Sequence, residues 1–288
     1  MKIATSYRQE LTGVFGFPVD ENPTVVMMEA AFRSLGLPWR YLTLKVSPVD
    51  LAAGIQGIRA MGFRGLNLTI PHKVKVLQYL DEVNADARIM GAVNTIYREG
   101  DRLIGANTDG KGFLKALRDD ARMDPAGRKF MILGAGGAAR SISVELALAG
   151  AAEIEIVNRN AARARELVDL LGQHTKAQAI YRPWNGEISI PENIDGLVNA
   201  TSIGLYPNIE ELPPLNFETI RSGMVVCDVI PNPPRTRFVK EAEARGAVTL
   251  DGLGMLVYQG AIAVKLWTGV DAPIEVMKQS LLSEFGGQ

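Results

Sequence analysis

A strand that runs directly into glycines fixes the middle of this chain. Lys129-Phe130-Met131-Ile132-Leu133 is a short apolar run, and Gly134-Ala135-Gly136-Gly137-Ala138-Ala139-Arg140 follows without a break. Ser141–Ala149 suits a helix, and a second apolar run, Ile154–Val157, comes after it. Strand, glycine turn, helix and strand in that order make a βαβ unit, and the turn is a GxGxxA variant of the dinucleotide fingerprint. Gly134 permits the tight turn, Gly136 lets the backbone approach a pyrophosphate, and Ala139 allows helix and strand to pack closely. The helix N-terminus offers unpaired N–H groups and a partial positive charge to phosphates. The expected cofactor stretch is therefore Gly134, Gly136, Gly137, Ala138 and Ala139. A tight turn with no ligand is the plainer alternative, and the full βαβ context disfavours it.

The end of the second strand selects the cofactor. An NAD site usually places Asp or Glu there, to bond the ribose 2′-hydroxyl. This chain instead reads Asn158-Arg159-Asn160-Ala161-Ala162-Arg163. Guanidinium groups bind phosphate through paired, charge-assisted hydrogen bonds, so the 2′-phosphate of NADP is the better fit and NAD the weaker one. Arg163 and Arg165 also read as decoration of a solvated helix face. Arg159, directly at the strand end beside Asn158, does not.

With 288 residues the chain is long for one core, which favours two domains. Short apolar runs alternate with helical patterns throughout, the mark of α/β layers with mainly parallel sheets. Strands are expected at Thr12–Phe15, Arg40–Thr43, Gly65–Leu68 and Ala92–Tyr97, and again at Gly196–Asn199, Met224–Val229 and Val248–Leu250. Helices are expected at Val25–Leu35, Pro48–Met61, with Pro48 in its first turn, and Val74–Leu80. Gly254–Trp267 is apolar nearly all round and reads as a buried helix, followed by a terminal helix near Pro273–Phe285. The expected organisation is an α/β substrate domain over 1–109, completed by helices in 252–288, and a Rossmann-type dinucleotide domain over 110–251, flanking a cleft.

Several classes are disfavoured. The formal net charge is −1 with no block of like charges, which argues against a nucleic-acid partner. No run of 18 apolar residues suggests a membrane span, and Met1–Arg8 carries no apolar signal segment. His72 and His174 are too few and too separated for a metal cluster, so no metal is expected. The single cysteine, Cys227, lies in an apolar run and reads as a buried thiol in a reducing compartment. The expectation is a cytoplasmic monomer or homodimer acting on a small hydroxylated molecule.

The first domain carries Asn67-Leu68-Thr69-Ile70-Pro71-His72-Lys73. Pro71 suits the first position of a helix, with Thr69 or Ile70 near the cap. His72, Lys73 and Lys75 then crowd the first turn with charge of the wrong sign for the dipole, which would ease loss of the Lys73 proton. Downstream come Ala92-Val93-Asn94-Thr95, Asn107-Thr108-Asp109-Gly110-Lys111-Gly112-Phe113, Asn199-Ala200-Thr201-Ser202-Ile203-Gly204 and Asp251-Gly252-Leu253-Gly254-Met255-Leu256-Val257-Tyr258-Gln259. In this order, with the glycine turn between them, these motifs resemble the shikimate dehydrogenase family along nearly the whole chain.

That resemblance implies reversible oxidation of a ring hydroxyl, an NAD(P)-dependent step of the shikimate pathway of aromatic amino acid biosynthesis. It implies Lys73 as the proton-transfer group and Asp109 as its partner. Asp109 also reads as the N-cap of a helix starting at Gly110. Thr69, Asn94 and Gln259 would bond substrate hydroxyls, while Thr201, Gly254 and Met255 would lie near the nicotinamide. Asn94 and Gln259 could equally satisfy backbone groups, and His72 reads as structural.

The chain departs from the family's pattern at the carboxylate end of the substrate. The family's Ser-x-Ser pair is replaced by Asn22 and Thr24, and Met28-Glu29 stand where it has His-Asn, with Glu29 read as a solvated helix residue. Pro231 stands where the family commonly has a tyrosine. The first reading is a shikimate dehydrogenase-type enzyme acting on shikimate or a close analogue. A second keeps the chemistry but takes quinate or another cyclic polyol without a well-held carboxylate. A third is a non-catalytic NADP-binding sensor.

Overall fold

The structure, a computed structural model, describes residues 7–286. The opening residues read for a targeting signal lie mostly outside that range. The chain divides into two compact units: Met1–Ala87 with Gly91–Ala106 and Gly260–Glu284, and Asn107–Gln259 with Arg88–Met90 and Phe285–Gln288.

The first unit is built from β1 (Glu10–Gly16), α1 (Thr24–Ser34), β2 (Trp39–Lys45), α2 (Leu51–Met61), β3 (Gly65–Leu68), α3 (His72–Lys75), β4 (Glu82–Val83), the start of α4 (Ala85–Met90), whose Arg88–Met90 fall in the second unit, β5 (Thr95–Glu99) and β6 (Arg102–Ala106). Its six strands run β2-β1-β3-β5-β6-β4. β1 is parallel to β2 and β3, while the β3–β5 and β5–β6 pairs are antiparallel. Phe15, Leu66 and Leu68 from the sheet and Leu51, Ile55 and Ile58 from α2 fill one core cluster, all essentially out of water. Each such side chain contributes about 1.5–3 kcal/mol by burial. On α1, Met27, Met28 and Phe32 are sealed, and the last helix, α10 (Ile274–Glu284), brings Met277 and Leu281 into the interior.

The second unit holds α5 (Asp109–Asp119), β7 (Lys129–Leu133), α6 (Gly137–Leu148), β8 (Glu153–Asn158), α7 (Ala161–His174), β9 (Gln178–Pro183), β10 (Gly196–Asn199), β11 (Val225–Asp228), α8 (Arg237–Glu243) and β12 (Val248–Leu250), with α9 (Gly252–Thr268) shared between the units at Gln259 and Gly260. Its strands run β12-β11-β10-β7-β8-β9, all pairs parallel. The order reverses between β7 and β10, the switch point where doubly wound sheets bind ligands at their strand ends. The glycine turn leaves β7 at that point. β7 is sealed on both faces from Phe130 to Leu133, as a central parallel strand must be. Where α5 meets α9, Gly112 permits the contact: a Cβ there would stand 2.7 Å from Gln259 N and 2.8 Å from Met255 O.

Four local expectations need correction. Pro48 is not in α2. Ser47-Pro48-Val49-Asp50 form a turn closed by Asp50 N–H to Ser47 O (3.1 Å), with Ser47 Oγ bonding Asp50 Oδ2 at 2.6 Å. Proline favours the second position of such a turn as readily as a helix start. The helix expected over Val74–Leu80 is instead the single turn α3 followed by a 3-10 turn at Val76–Tyr79. The Lys73 carbonyl is taken by Val93 N–H at 2.8 Å and so bonds across to the loop before β5. The strand expected at Ala92–Tyr97 begins at Thr95. Met224–Val229 is shorter in the structure, β11 occupying Val225–Asp228.

Among the described residues, no helix is long and apolar enough to cross a membrane.

Candidate active site

In the first unit, four backbone bonds gather the loops at one end of the sheet. Thr69 N–H donates to Phe15 O (3.0 Å), Phe17 N–H to Ile70 O (3.0 Å), Leu68 N–H to Asn94 O (2.7 Å) and Val93 N–H to Lys73 O (2.8 Å). Thr69, Lys73 and Asn94 are thereby brought to the carboxyl end of β3. A pocket of about 310 Å³ opens there, lined by Pro18, Val19, Asp20, Glu21, Asn22 and Thr69. The Asn22 side chain also starts α1: its Oδ1 accepts the Thr24 N–H at 3.0 Å, a bond that Pro23 at the cap position cannot supply. Thr24 itself is buried. Of the expected substrate residues, Asn22 and Thr69 line this pocket.

Lys73 occupies the middle of the four-residue α3, entered at Pro71, which stands at the cap position rather than inside the helix. No side chain caps it. A single turn carries little of a helix macrodipole, so the dipole argument for Lys73 loses its basis. His72 is structural, as expected: it is 1% exposed, with Nε2 2.8 Å from Val46 O. Glu29 is not a solvated residue. Its Oε1 accepts the Tyr41 N–H at 2.7 Å and its Oε2 pairs with Arg40 at 3.3 Å, which ties α1 to β2.

Asp109 lies in the second unit and is the first residue of α5, with Thr108 at the cap position and no side-chain cap bond. The expected capping role is therefore wrong. The Asn107 Oδ1 accepts the Asp109 N–H at 3.1 Å and organises the turn, so the Asp109 carboxylate is not spent on capping. Gln259 follows its backbone reading, Nε2 donating to Leu256 O (3.1 Å), while Oε1 accepts from the Thr108 Oγ1 side chain (3.3 Å).

The nucleotide turn has the geometry its sequence demands. Gly134 has φ +112°, and a Cβ there would stand 2.8 Å from Ala200 O, so glycine is required twice over. A Cβ on Gly136 or Gly137 would meet nothing within 4 Å. Internal packing does not call for glycine at either position, and the bare backbone leaves room for a ligand to approach. Ala139 is fully buried, and the Ala138 carbonyl accepts from Ser141 Oγ at 3.0 Å. At the end of β8, Asn158 Nδ2 donates to Asn160 O (2.9 Å), and Asn160 Oδ1 caps α7 by accepting the Arg163 N–H (3.1 Å). The basic residues around the turn separate into two kinds. Arg140 pairs with Glu166 and Arg165 lies over the Tyr181 ring at 5.9 Å. Arg159 is exposed, as is Arg163, and neither guanidinium has a salt-bridge partner among the described residues. These residues fit a 2′-phosphorylated dinucleotide.

On the far side of the switch point, Thr201 is held by Asn199, whose Oδ1 accepts both Thr201 N–H (3.2 Å) and Oγ1–H (2.7 Å). Asn199 Nδ2 donates to the Asp228 carboxylate at 3.1 Å, which also accepts from Ile230 N (3.2 Å) and Thr236 Oγ1 (2.7 Å). Gly254 N–H donates to Asp251 Oδ1 at 3.0 Å, fixing the start of α9, where Met255 follows. Nothing in the Asp228-Val229-Ile230-Pro231 run marked its aspartate as a buried group; only the three donors converging on it in space do so.

Burial pushes the Asp228 carboxyl up to about 6 against the pull of those donors. Its titratable neighbour Cys227 is also raised, chiefly by burial, and stays a neutral thiol. A folded-state pKa above the unfolded value contributes stability that is present at low pH and is lost as pH rises through about 6. Asp228→Asn removes that loss. The Tm of wild type relative to Asp228→Asn is therefore expected to fall between pH 4.5 and 7.5, by the equivalent of on the order of 3 kcal/mol at most. Melting curves of the two proteins that stay parallel across this range would exclude it.

A parallel Rossmann-type sheet with a glycine turn at its switch point, in one chain with a mixed α/β unit carrying a polar pocket, defines a dinucleotide-dependent oxidoreductase class. Comparison with known proteins narrows this. Residues 14–96 match the shikimate dehydrogenase substrate binding domain, 118–202 the shikimate / quinate 5-dehydrogenase model, and 252–282 the shikimate 5′-dehydrogenase C-terminal domain. The chain is 43% identical over 284 residues to a shikimate dehydrogenase (NADP(+)) of Methanopyrus kandleri, covering 98% of each. It superposes on a ligand-free 5-ketofructose reductase of Gluconobacter sp. strain CHM43 with TM-score 0.94 and 48% identity, over 97% of this chain and 100% of that one. A shikimate 5-dehydrogenase of Listeria monocytogenes in complex with shikimate and NAD superposes with TM-score 0.89 and 33% identity, over 98% and 99%. The chain belongs to the shikimate dehydrogenase family.

Proposed function

We propose that this chain catalyses reversible, NADP-linked hydride transfer at a hydroxyl-bearing carbon of shikimate or a close analogue, as a cytoplasmic monomer or homodimer. The observation that carries the cofactor half is the pair of exposed guanidinium groups, Arg159 and Arg163, beside a glycine turn with room for a ligand. Gly134, Gly136, Gly137, Ala138 and Ala139 would hold the pyrophosphate, Asn158, Arg159 and Arg163 the adenosine end, and Thr201, Gly254 and Met255 the nicotinamide. The bound nicotinamide supplies the hydride acceptor or donor. Lys73 takes the hydroxyl proton as the carbon gives up its hydride and returns it in the reverse direction, leaving a carbonyl or an alcohol. Asp109 is the partner the family pattern assigns to Lys73, a carboxylate that would favour the charged amine and orient it. Asn22, Thr24, Thr69, Asn94 and Gln259 position the substrate hydroxyls.

A specific observation favours a second substrate. Among the described residues the pocket beside Thr69 is lined by the carboxylates Asp20 and Glu21 and by no cation, although Lys45 pairs with Asp20 at 3.3 Å. A carboxylate brought there meets like charge, whereas an uncharged polyhydroxy compound finds acceptors for its hydroxyls. The Gluconobacter relative, named for an uncharged ketose, fits the same reading. The test is NADP(H) absorbance with shikimate, quinate, uncharged cyclic polyols and 5-ketofructose. Turnover of shikimate supports the first reading, and turnover of uncharged compounds alone supports the second. No turnover with any of them removes both and leaves a cofactor-binding sensor.

A further inference from the structure

One buried hydrogen-bond chain in the first unit has a direction that its donors and acceptors enforce. It begins at the Asn94 backbone carbonyl, which can only accept. Asn67 Nδ2 lies 3.3 Å from that carbonyl and 3.0 Å from Thr95 Oγ1. The amide nitrogen of Asn67 must face this side, because its oxygen would put two acceptors together. Asn67 Oδ1 therefore faces Tyr41, whose hydroxyl donates to it at 2.8 Å. Thr95 Oγ1, having accepted from Asn67, donates its proton to Asn94 Oδ1 at 3.0 Å. The oxygen end of the Asn94 amide thus accepts from Thr95, and its NH2 end is the donor side of the group.

We propose that Tyr41, acting through Asn67 and Thr95, is a positioning residue that fixes Asn94 as a hydrogen-bond donor to a substrate oxygen. This rests on the reading of Asn94 as a substrate contact. Burial supports the arrangement. Tyr41 is 3% exposed, Asn67 6% and Thr95 0%, so water does not substitute for a missing partner. Desolvation holds the Tyr41 phenol well above its ordinary range, and the hydroxyl keeps its proton at every working pH. The Trp267 ring lies 6.2 Å from that of Tyr41 and is itself anchored by Nε1–H to Ile96 O (2.8 Å). The Tyr41 hydroxyl donates to Asn67 at 2.8 Å and so joins this chain of bonds.

The experiment compares Tyr41→Phe, Thr95→Val, Thr95→Ser and Asn94→Ala, using shikimate, or quinate or 5-ketofructose where only one of those is turned over. Tyr41→Phe and the isosteric Thr95→Val are each expected to raise substrate KM by about 3- to 10-fold, the scale of one hydrogen bond to a bound substrate, with NADP KM unchanged. Thr95→Ser keeps the hydroxyl and should restore wild-type KM. A purely structural role would lower Tm and leave KM alone, and that result overturns the proposal. A raised KM in Asn94→Ala with none in Tyr41→Phe or Thr95→Val also overturns it while sparing the Asn94 reading. An unchanged KM in Asn94→Ala removes the Asn94 reading and the proposal together.

Discussion

Lys73→Ala is expected to lower kcat by at least about 100-fold, the lower end of what a positioned proton carrier contributes, while NADP binding persists. The variant separates chemistry from folding unusually well. The Lys73 backbone carbonyl accepts from Val93 N–H at 2.8 Å, and alanine keeps that bond. The nucleotide turn lies in the other unit and shares no residue with α3. A lost kcat with an intact Tm and an unchanged NADP affinity therefore points at the amine itself. Stopped-flow measurement with NADP and the substrate in excess reads the hydride step directly. A variant that keeps near-normal kcat in that assay rules Lys73 out as the proton carrier. Lys73→Arg sharpens the test, because a guanidinium keeps the charge but does not give up its proton near neutral pH. It should fail with alanine if proton transfer matters, and recover if charge alone does.

The parts of this reading that were visible in the sequence share a property: a local rule fixed them. The turn after β7 needs Gly134 because of its positive φ and the nearby Ala200 carbonyl, and both demands act within a few residues of a strand end. Central strands such as Gly65–Leu68, buried at every position, carry an unbroken apolar run or a quoted motif. What stayed hidden was set by distant partners. β6 (Arg102–Ala106) was not expected, although Gly100 at φ +60° between β5 and β6 is a hairpin signal. β9 (Gln178–Pro183) is an edge strand with a mixed face and no apolar run to mark it.

The site divides along the same line. Thr69, Lys73 and Asn94 stood out because they sit in short motifs, and the bonds that gather them join motif to motif. Glu29 was misread because its partner, the Tyr41 N–H, is twelve residues away on a neighbouring strand. The expected cap at Asp109 is off by one position: a helix that starts a residue earlier turns a cap into a first-turn residue. Tyr41 and Asp228 carried no pattern at all. Their importance lies in which groups converge on them after folding, and spacing in the chain does not encode that.

Arg159→Ala is expected to weaken NADP by about 10- to 100-fold and NAD by no more than about 2-fold. A charge-assisted bond contributes about 1.5–3 kcal/mol, and each 1.4 kcal/mol is tenfold in affinity. The selectivity follows from where the charge sits. The guanidinium extends from the residue after Asn158, where an NAD site would place a carboxylate on the ribose. Only the 2′-phosphate gives it an anionic partner there. Arg163 is placed less directly, since its backbone is held in the first turn of α7 by Asn160 and its side chain leaves from the helix. Arg163→Ala should therefore cost less than Arg159→Ala, and the double variant should approach equal affinity for the two cofactors. Salt gives an independent check, because exposed charges are screened: raising sodium chloride from 0.05 to 0.5 M should weaken NADP in wild type and barely touch it in the double variant. Titration of both cofactors by fluorescence reads these shifts. Equal losses for NADP and NAD in Arg159→Ala would assign that side chain to packing and leave the cofactor preference to residues elsewhere in the turn.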